Sequence, residues 1–378
     1  MKKNLELTKL EFIYYVGMFL YLIKMWSFIT TIVTFSVTFN LLLISFITIL
    51  FLFKIFFTKN SLKEFLLILL LSIFILFISS RIGNYDFLLT ILAIIASFKT
   101  DIRKTIKFLL VINCIMLGIH LLYSLFIYLY DKNELLYYLH DGMKRYSLFT
   151  RHPNYLGAII FWCLCGYIYI NFNKKNIILI ILTSVITFII TGSKTTLIAF
   201  VILLLFILFK NKISTKKIRS MILPTFIVLL SFSYFYMTNY NNNTFNVILN
   251  NLDNFLTNRV RFSSIAYENF GLTFFGQKII TDNIYILNSN HINKLIIDSF
   301  YVSCMVEYGI VYLLLLFVAV LKVLKKLDKK ELIFFELFLI ICFTERYIVF
   351  LTLAFPLLFL CKCFERNEKV DENSNFNK

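Results

Sequence analysis

The fold is decided by the stretch Leu10–Phe53, LEFIYYVGMFLYLIKMWSFITTIVTFSVTFNLLLISFITILFLF, which carries only two charged residues, Glu11 and Lys24. A helix that crosses a membrane needs about 20 mostly apolar residues, because each residue rises about 1.5 Å through a hydrocarbon core of about 30 Å. The stretch is long enough for two such helices. Its apolar residues run continuously instead of alternating, which indicates helices and not the strands of a transmembrane barrel.

Similar apolar runs recur along the rest of the chain. They are Phe65–Ser80, Phe87–Phe98, Phe108–Tyr130, Tyr155–Ile170, Ile177–Thr191, Thr195–Phe209, Ile218–Thr238, Leu295–Leu321, Leu332–Phe343 and Ile348–Cys361. Hydrophobic residues make up 60% of the chain and charged residues 16%, and the mean hydropathy is +0.81. Soluble domains are about a quarter charged. We therefore predict an all-α polytopic membrane protein with about twelve transmembrane helices.

Basic residues are distributed unevenly between the connections of these helices. With the N-terminus in the cytoplasm, 26 of the 38 lysines and arginines fall inside, 11 fall outside and Lys24 stays within a span. Connections rich in lysine and arginine stay in the cytoplasm, so both termini are predicted to be cytoplasmic. The chain is then one membrane domain, 1–361, with a long outer loop, 238–294, and a cytoplasmic polar tail, 362–378.

Several function classes are disfavoured by the sequence. The formal charge of +17 requires no nucleic acid, because most basic residues would lie beside anionic lipids. The seven cysteines show no metal-ligand spacing, and Gly192-Ser193-Lys194-Thr195 lacks the first glycine of a nucleotide-binding loop. We therefore expect no metal, no cofactor and no nucleic-acid partner.

The basic residues predicted to lie outside are the candidate functional residues, since the topology rule would place them inside. They include Arg145, Arg151, Lys194, Arg259, Arg261 and Arg346. His152 precedes Pro153, which suits the first turn of a helix, and a helix N-terminus attracts anions. Each residue also has a plainer interpretation: Lys194 could simply snorkel to the surface, and Arg346 could form a structural ion pair with Glu345.

In the long outer loop, Asp253–Tyr267 is predicted to form an amphipathic helix on the membrane surface, from which Arg259 and Arg261 emerge. A guanidinium binds phosphate oxygens in pairs and stays charged at neutral pH, so these arginines suit a diphosphate. His291 and Asp298 follow at the start of the next apolar run. The side with this loop therefore indicates a site for a polar, anionic ligand.

Five short motifs occur in order along the chain: Arg151-His152-Pro153-Asn154-Tyr155-Leu156-Gly157, Thr191-Gly192-Ser193-Lys194-Thr195, Leu256-Thr257-Asn258-Arg259 followed by Gly271 and Gly276, Ile297-Asp298-Ser299-Phe300-Tyr301 with Glu307-Tyr308-Gly309-Ile310, and Phe343-Thr344-Glu345-Arg346. These motifs are similar to those of bacterial O-antigen and capsular polysaccharide polymerases of the Wzy type and of the related O-antigen ligases. The order of the motifs and the position of the long loop match as well. Lys194 and Ser299 stand where arginine and asparagine are usual.

The resemblance implies a membrane glycosyltransferase with a glycosyltransferase C-like architecture in the bacterial cytoplasmic membrane. Its donor would be an oligosaccharide on undecaprenyl diphosphate, and its partners would include membrane lipids, a chain-length regulator and a flippase. The diphosphate ligands are predicted to be Arg145, Arg151, Lys194, Arg259, Arg261 and Arg346. An acceptor hydroxyl needs a base near neutral pH. We predict His152 or His291 as the base and Asp298 as an orienting carboxylate.

Two alternatives stay open at this stage. A flippase or transporter for the same lipid-linked sugars would also need basic groups, but at mid-membrane and open to both sides. A ligase would move finished chains to another acceptor by the same chemistry. The polar groups of this chain lie on one predicted side, which favours an enzyme over a transporter.

Overall fold

The structure is a computed structural model that describes residues 9–130, 137–140, 143–280, 282–285, 291–346 and 350–365. For the strand residues at 137–140, 143, 282–285 and 291–294 only the backbone is described. The predicted tail therefore lies largely outside the described residues, and so does part of the outer loop.

The described chain is mainly helical. The helices of the first half are α1 Lys9–Ile29, α2 Val37–Phe57, α3 Leu62–Ile82, α4 Tyr85–Ala96, α5 Ile102–Tyr130, α6 Pro153–Ile170 and α7 Asn176–Thr191. Those of the second half are α8 Lys194–Phe209, α9 Thr215–Asn239, α10 Asn246–Phe255, α11 Arg259–Phe270, α12 Phe300–Ser303, α13 Ile310–Leu324 and α14 Lys329–Ile341. Two antiparallel hairpins pair β1 Tyr137–His140 with β2 Met143–Tyr146 and β3 Asp282–Tyr285 with β4 His291–Lys294.

Six of these helices, α1, α2, α3, α5, α6 and α9, are long and apolar enough to cross a membrane. The remaining apolar helices are shorter, and 12 to 16 residues span only about 18–24 Å. The helix α4 is buried along nearly its whole length, from Phe87 to Ala96, so it is a core helix. The chain is thus a helical protein with several helices that could cross a membrane, while the predicted count of about twelve stays a prediction.

The predicted span Leu295–Leu321 is interrupted in the structure. A π-helical turn, Cys304–Tyr308, follows α12, and α13 starts after Gly309. The outer loop causes the interruption: the backbone N–H of Ile310 donates to Thr273 O at 2.8 Å, and that of Gln277 donates to Glu307 O at 3.0 Å. The loop thereby satisfies backbone groups that a continuous helix would have used internally.

The predicted surface helix Asp253–Tyr267 consists of two helices, α10 and α11, that meet at a sharp turn. Thr257 and Asn258 both adopt left-handed conformations, with φ of 55° and 66°, and such residues end a helix. Half of the residues of α11 are buried against its neighbours, and its position on the membrane surface stays a prediction. Exposed apolar side chains belong instead to α10, at Val247, Ile248 and Phe255.

The described residues of the last predicted span, Ile348–Cys361, are 350–361, and they do not form an α-helix. The chain forms 3₁₀ turns at Leu351–Leu353 and Phe355–Phe364. Side chains from other helices hold this irregular backbone: the Leu351 N–H donates to Tyr21 Oη at 3.0 Å, and Asn113 Nδ2 donates to Thr352 O at 3.3 Å. Irregular backbone inside a membrane protein needs such partners.

The connections of the helices fall into two groups at opposite ends of the array. At one end the lysine-rich connections contact one another: Arg103 donates to Ile170 O at 3.0 Å and Lys210 to Phe172 O at 3.3 Å. Further bonds there are Lys99 to Asn60, Arg219 to Leu327 O, and Lys326 to Lys362 O. We call this the lysine-rich end. The arginines of the sequence motifs lie at the other end, which we call the arginine end.

Lys24, the one basic residue left within a predicted span, has a partner that the sequence did not indicate. Its Nζ lies 2.5 Å from Asp86 Oδ1 at the start of α4. A buried ammonium is costly without such a partner. This ion pair joins the end of α1 to α4 close to the arginine end.

Candidate functional site

The site is centred on the turn after α14, where Glu345 and Arg346 meet side chains from three other segments. Arg259 begins α11, Asp298 precedes α12, and Glu307 lies in the π-helical turn. Tyr155 of α6 lies within electrostatic reach of Arg346, Asp298 and Glu345. The structure therefore brings together residues from four of the five sequence motifs.

Arg259 is buried, with 7% of its side chain exposed, and it lies between two carboxylates. Its Nη2 is 2.8 Å from Glu345 Oε1, and its Nε is 3.4 Å from Asp298 Oδ2. Its Nη1 donates to Thr344 O. The left-handed turn at Asn258 directs the first residue of α11 inward. Arg259 thus holds two acids in place, and its charge is already balanced by them.

An ion pair between Glu345 and its neighbour Arg346 was the plainer interpretation of the sequence, but Glu345 pairs with Arg259. Burial raises the pKa of Glu345 above its usual range, while the Arg259 guanidinium and a hydrogen bond from Thr195 oppose that shift. Thr195 lies in the first turn of α8. The carboxylate therefore ties the Thr191–Thr195 motif to Arg259.

Arg346 pairs with Glu307 instead, through Nη1 and Oε2. Its side chain is 35% exposed, whereas that of Glu307 is 10% exposed. Burial alone would lower the pKa of Arg346, but Glu307 and Asp298 raise it above its usual value. Arg346 is therefore a permanent and partly accessible cation, as a residue that binds a diphosphate needs to be.

Arg145 links two of the sequence motifs. Its Nε donates to Thr191 O at 2.7 Å, and its Nη2 donates to Asn154 Oδ1 at 2.6 Å. Gly192 makes room for it: the glycine has a φ of 57°, and a Cβ there would lie 2.9 Å from Arg145 Cγ. These contacts favour a structural role for Arg145, in which it fastens the start of α6 to the end of α7.

The same two segments pack tightly through Gly157. A Cβ at this position would lie 2.9 Å from Thr196 Oγ1 and 3.4 Å from Thr191 Oγ1. The glycine of the first motif therefore allows α6 to approach the turn that carries the second motif. This contact explains why both motifs belong to one site.

His152 is the N-cap of α6, and its Nδ1 accepts a hydrogen bond from the Asn154 N–H at 3.1 Å. A backbone N–H can only donate, so Nδ1 carries the lone pair and the proton of the neutral ring sits on Nε2. The only basic nitrogen is thus already engaged by the cap. This geometry favours His152 as a hydrogen-bond donor through Nε2, not as the predicted base.

The remaining predicted residues lie around this centre or outside the described part. Arg151 is exposed; it lies 5.2 Å over the Phe28 ring, and its Nε donates to Thr30 O at 3.4 Å. Lys194 is exposed at the first position of α8. Arg261 is half-buried, and its backbone N–H donates to Asp253 at 2.9 Å. The backbone of His291 lies in β4, but its side chain is outside the described residues.

Glu307 and Glu345 are site residues whose acidic role the sequence analysis did not recognise. The available signal was their position: Glu307 is an acid inside the apolar run Leu295–Leu321, and Glu345 closely follows the run Leu332–Phe343. Three carboxylates, Asp298, Glu307 and Glu345, thus accompany Arg259 and Arg346. Among the described residues, no group of three His, Cys, Asp or Glu side chains could hold a metal ion.

The chain matches no family model, no curated protein and no solved structure.

Proposed function

We propose that the protein is a membrane glycosyltransferase that polymerises oligosaccharide units carried on undecaprenyl diphosphate. The observation that supports this best is the convergence of Arg259, Asp298, Glu307, Glu345 and Arg346 at the arginine end of a helical, apolar chain. In the proposal this end faces the outside of the bacterial cytoplasmic membrane, both termini are cytoplasmic, and a flippase and a chain-length regulator act beside the enzyme.

In this proposal the accessible cations bind the donor diphosphate. Arg346, Arg151 and Lys194 are at least partly exposed, and the Nε2–H of His152 can donate to a phosphate oxygen. Neutralising a diphosphate makes it a good leaving group, because developing negative charge is stabilised in the transition state. Arg259 and Arg145 act as positioning residues, since their guanidinium groups are engaged by protein oxygens.

Asp298 is the best placed proton acceptor of the described carboxylates. Its side chain is 36% exposed, against 8% for Glu345, and Arg259 orients it. The acceptor hydroxyl oxygen forms a bond to the anomeric carbon of the donor sugar, while the bond from that carbon to the phosphate oxygen breaks. Its electron pair leaves with the lipid diphosphate, and the hydroxyl proton passes to the Asp298 carboxylate.

The proposal is tested with the purified full-length protein in lipid nanodiscs and a synthetic oligosaccharide on undecaprenyl diphosphate. Wild-type protein should form a ladder of longer oligosaccharides and release one lipid diphosphate for each new linkage. Arg346→Ala should reduce the rate at least about 100-fold, by removing one charge that stabilises the leaving group. Lys174→Ala, an exposed charge at the lysine-rich end, is the matched control and should keep the wild-type rate.

Three results would contradict the proposal. Movement of the donor across the membrane without any new linkage would identify a flippase. A single transfer to another acceptor without a ladder would identify a ligase. Equal activity of wild type and Arg346→Ala would remove the cluster from the site.

A further inference from the structure

A cavity lies at the lysine-rich end of the molecule, opposite the arginine end. It has a volume of about 320 Å³ and lies between the end of α13 and the C-terminal 3₁₀ segment. Its lining consists of Leu321, Lys322, Lys325, Lys326, Cys363 and Glu365. The volume is about ten times that of a water molecule in the liquid, so it can hold a small charged group together with its hydration.

The three lysines of this cavity have different roles. Lys326 donates to Lys362 O at 3.0 Å and also to Glu365 O, so it holds the wall of the cavity together. Lys322 and Lys325 are exposed and make no hydrogen bond or ion pair within the described residues. The cavity therefore presents two available ammonium groups and one carboxylate, that of Glu365.

An apolar stripe on the surface of α13 leads directly to these two lysines. Leu314, Val318 and Leu321 are 57%, 45% and 40% exposed. Spacings of four and three residues place them along one face of the helix, and Lys322 and Lys325 continue that face. An apolar stripe ending at a basic cavity matches a molecule with a hydrocarbon chain and an anionic head.

We propose that the cavity binds the phosphate-bearing headgroup of an anionic phospholipid, with an acyl chain along Leu314, Val318 and Leu321. Lysines that serve only to orient a membrane protein need no cavity, whereas basic pockets beside transmembrane helices suit lipid headgroups. The site does not depend on the proposed transferase activity. It makes the C-terminal segment, which reaches the arginine end through residues 350–354, sensitive to the lipid composition of one leaflet.

Native mass spectrometry of the full-length protein in detergent tests this site. The protein is offered equal amounts of phosphatidylglycerol and phosphatidylcholine, and retained lipid is counted for each variant. Wild type should retain phosphatidylglycerol preferentially, and Lys322→Gln/Lys325→Gln should reduce that retention about tenfold. Lys174→Gln/Lys175→Gln removes the same charge from exposed positions of the same end and should retain lipid as wild type does.

Two further variants keep the test decisive. Lys322→Arg/Lys325→Arg preserves the charge and should keep lipid, so loss in this variant would overturn the site. Glu365→Gln removes the competing carboxylate and should increase retention. Equal losses in the two Gln pairs would show general attraction to an anionic surface and contradict the proposal. Inorganic phosphate at millimolar concentration separates a lipid from a free anion. If phosphate displaced the lipid completely and by itself raised the unfolding temperature as much as the lipid does, the ligand would be a free anion instead of a lipid.

Discussion

Charge balance around Glu345 explains why so many ionised groups can be buried together. Arg259 lies between Glu345 and Asp298, and Arg346 lies between Glu307 and Asp298. A buried charge that loses its partner is strongly destabilising, whereas removing both partners is much less costly. The residues of the site should therefore respond to substitution as pairs.

Arg259→Ala is expected to lower the free energy of unfolding by about 3–5 kcal/mol, because it leaves the buried Glu345 uncompensated. Adding Glu345→Gln should restore a large part of this loss by removing the unpaired charge. Thermal unfolding of the two single variants and the double variant in one detergent measures the coupling. Arg261→Ala is the control and should unfold like wild type; additive losses in the double variant would contradict the buried pair.

Two substitutions of His152 distinguish the role of its Nδ1 from that of its Nε2. In His152→Asn the side-chain oxygen can still cap α6, but the Nε2–H donor is lost. We expect this variant to unfold like wild type while its donor KM rises, whereas His152→Ala should also lose about 1 kcal/mol of stability. The dependence of kcat on pH should be unchanged in His152→Asn. Loss of the acidic limb of that profile would instead make His152 the base.

At the level of elements, the first half of the chain could be predicted well and the last part could not. The run Leu10–Phe53 contains two helices, α1 and α2, as its length predicts, because helix length in a membrane is set by the bilayer. The helix α5 ends with its apolar run at Tyr130 but begins earlier than the run, at Ile102. The run Leu295–Leu321 looked equally continuous, but contacts with Thr273 and Phe274 interrupt it. Such contacts between distant segments leave no periodic signal in a sequence.

The same limit applies to the site. The motif residues at positions 151–157 and 191–195 could be assigned to one region, and the structure joins them through Arg145 and Gly157. The pairing of Arg259 with Glu345 could not be predicted, because Arg346 is next to Glu345 in the sequence and was the simpler choice of partner. Choice of ion-pair partner depends on where a turn points its side chains.

The interruption between α12 and α13 predicts that a side chain at Gly309 lowers stability and activity. This glycine has a φ of 99°, and a Cβ there would lie 2.5 Å from Phe274 O. Gly309→Ala should therefore detach the loop from the π-helical turn, displace Glu307 and lower both the unfolding temperature and the transferase rate. Gly118→Ala is the control, because nothing lies within 4 Å of a Cβ at that position and alanine favours a helix. Equal behaviour of the two variants would contradict the docked loop.

At the scale of the whole molecule, the two ends differ in their basic residues and in the site that we propose for each. The lysine-rich end carries the proposed lipid cavity, and the arginine end carries the proposed transferase site. The lysine asymmetry predicts that reporter fusions after Lys212 and Lys326 are cytoplasmic and that fusions after Lys132 and Asn250 are external. A cytoplasmic reporter at Asn250 would place Arg259 on the wrong side for a donor presented outside.

The central claim is that the arginine end binds a lipid-linked diphosphate, and photolabelling tests this directly. A synthetic undecaprenyl diphosphate oligosaccharide with a photoreactive group on the isoprene unit next to the diphosphate is bound to the full-length protein, crosslinked and mapped by peptide mass spectrometry. The label should fall on the segments 151–155, 194–196, 298–307 and 343–346, and unlabelled donor should compete it away. Labelling confined to the lysine-rich end, or labelling that excess donor leaves unchanged, would contradict the claim.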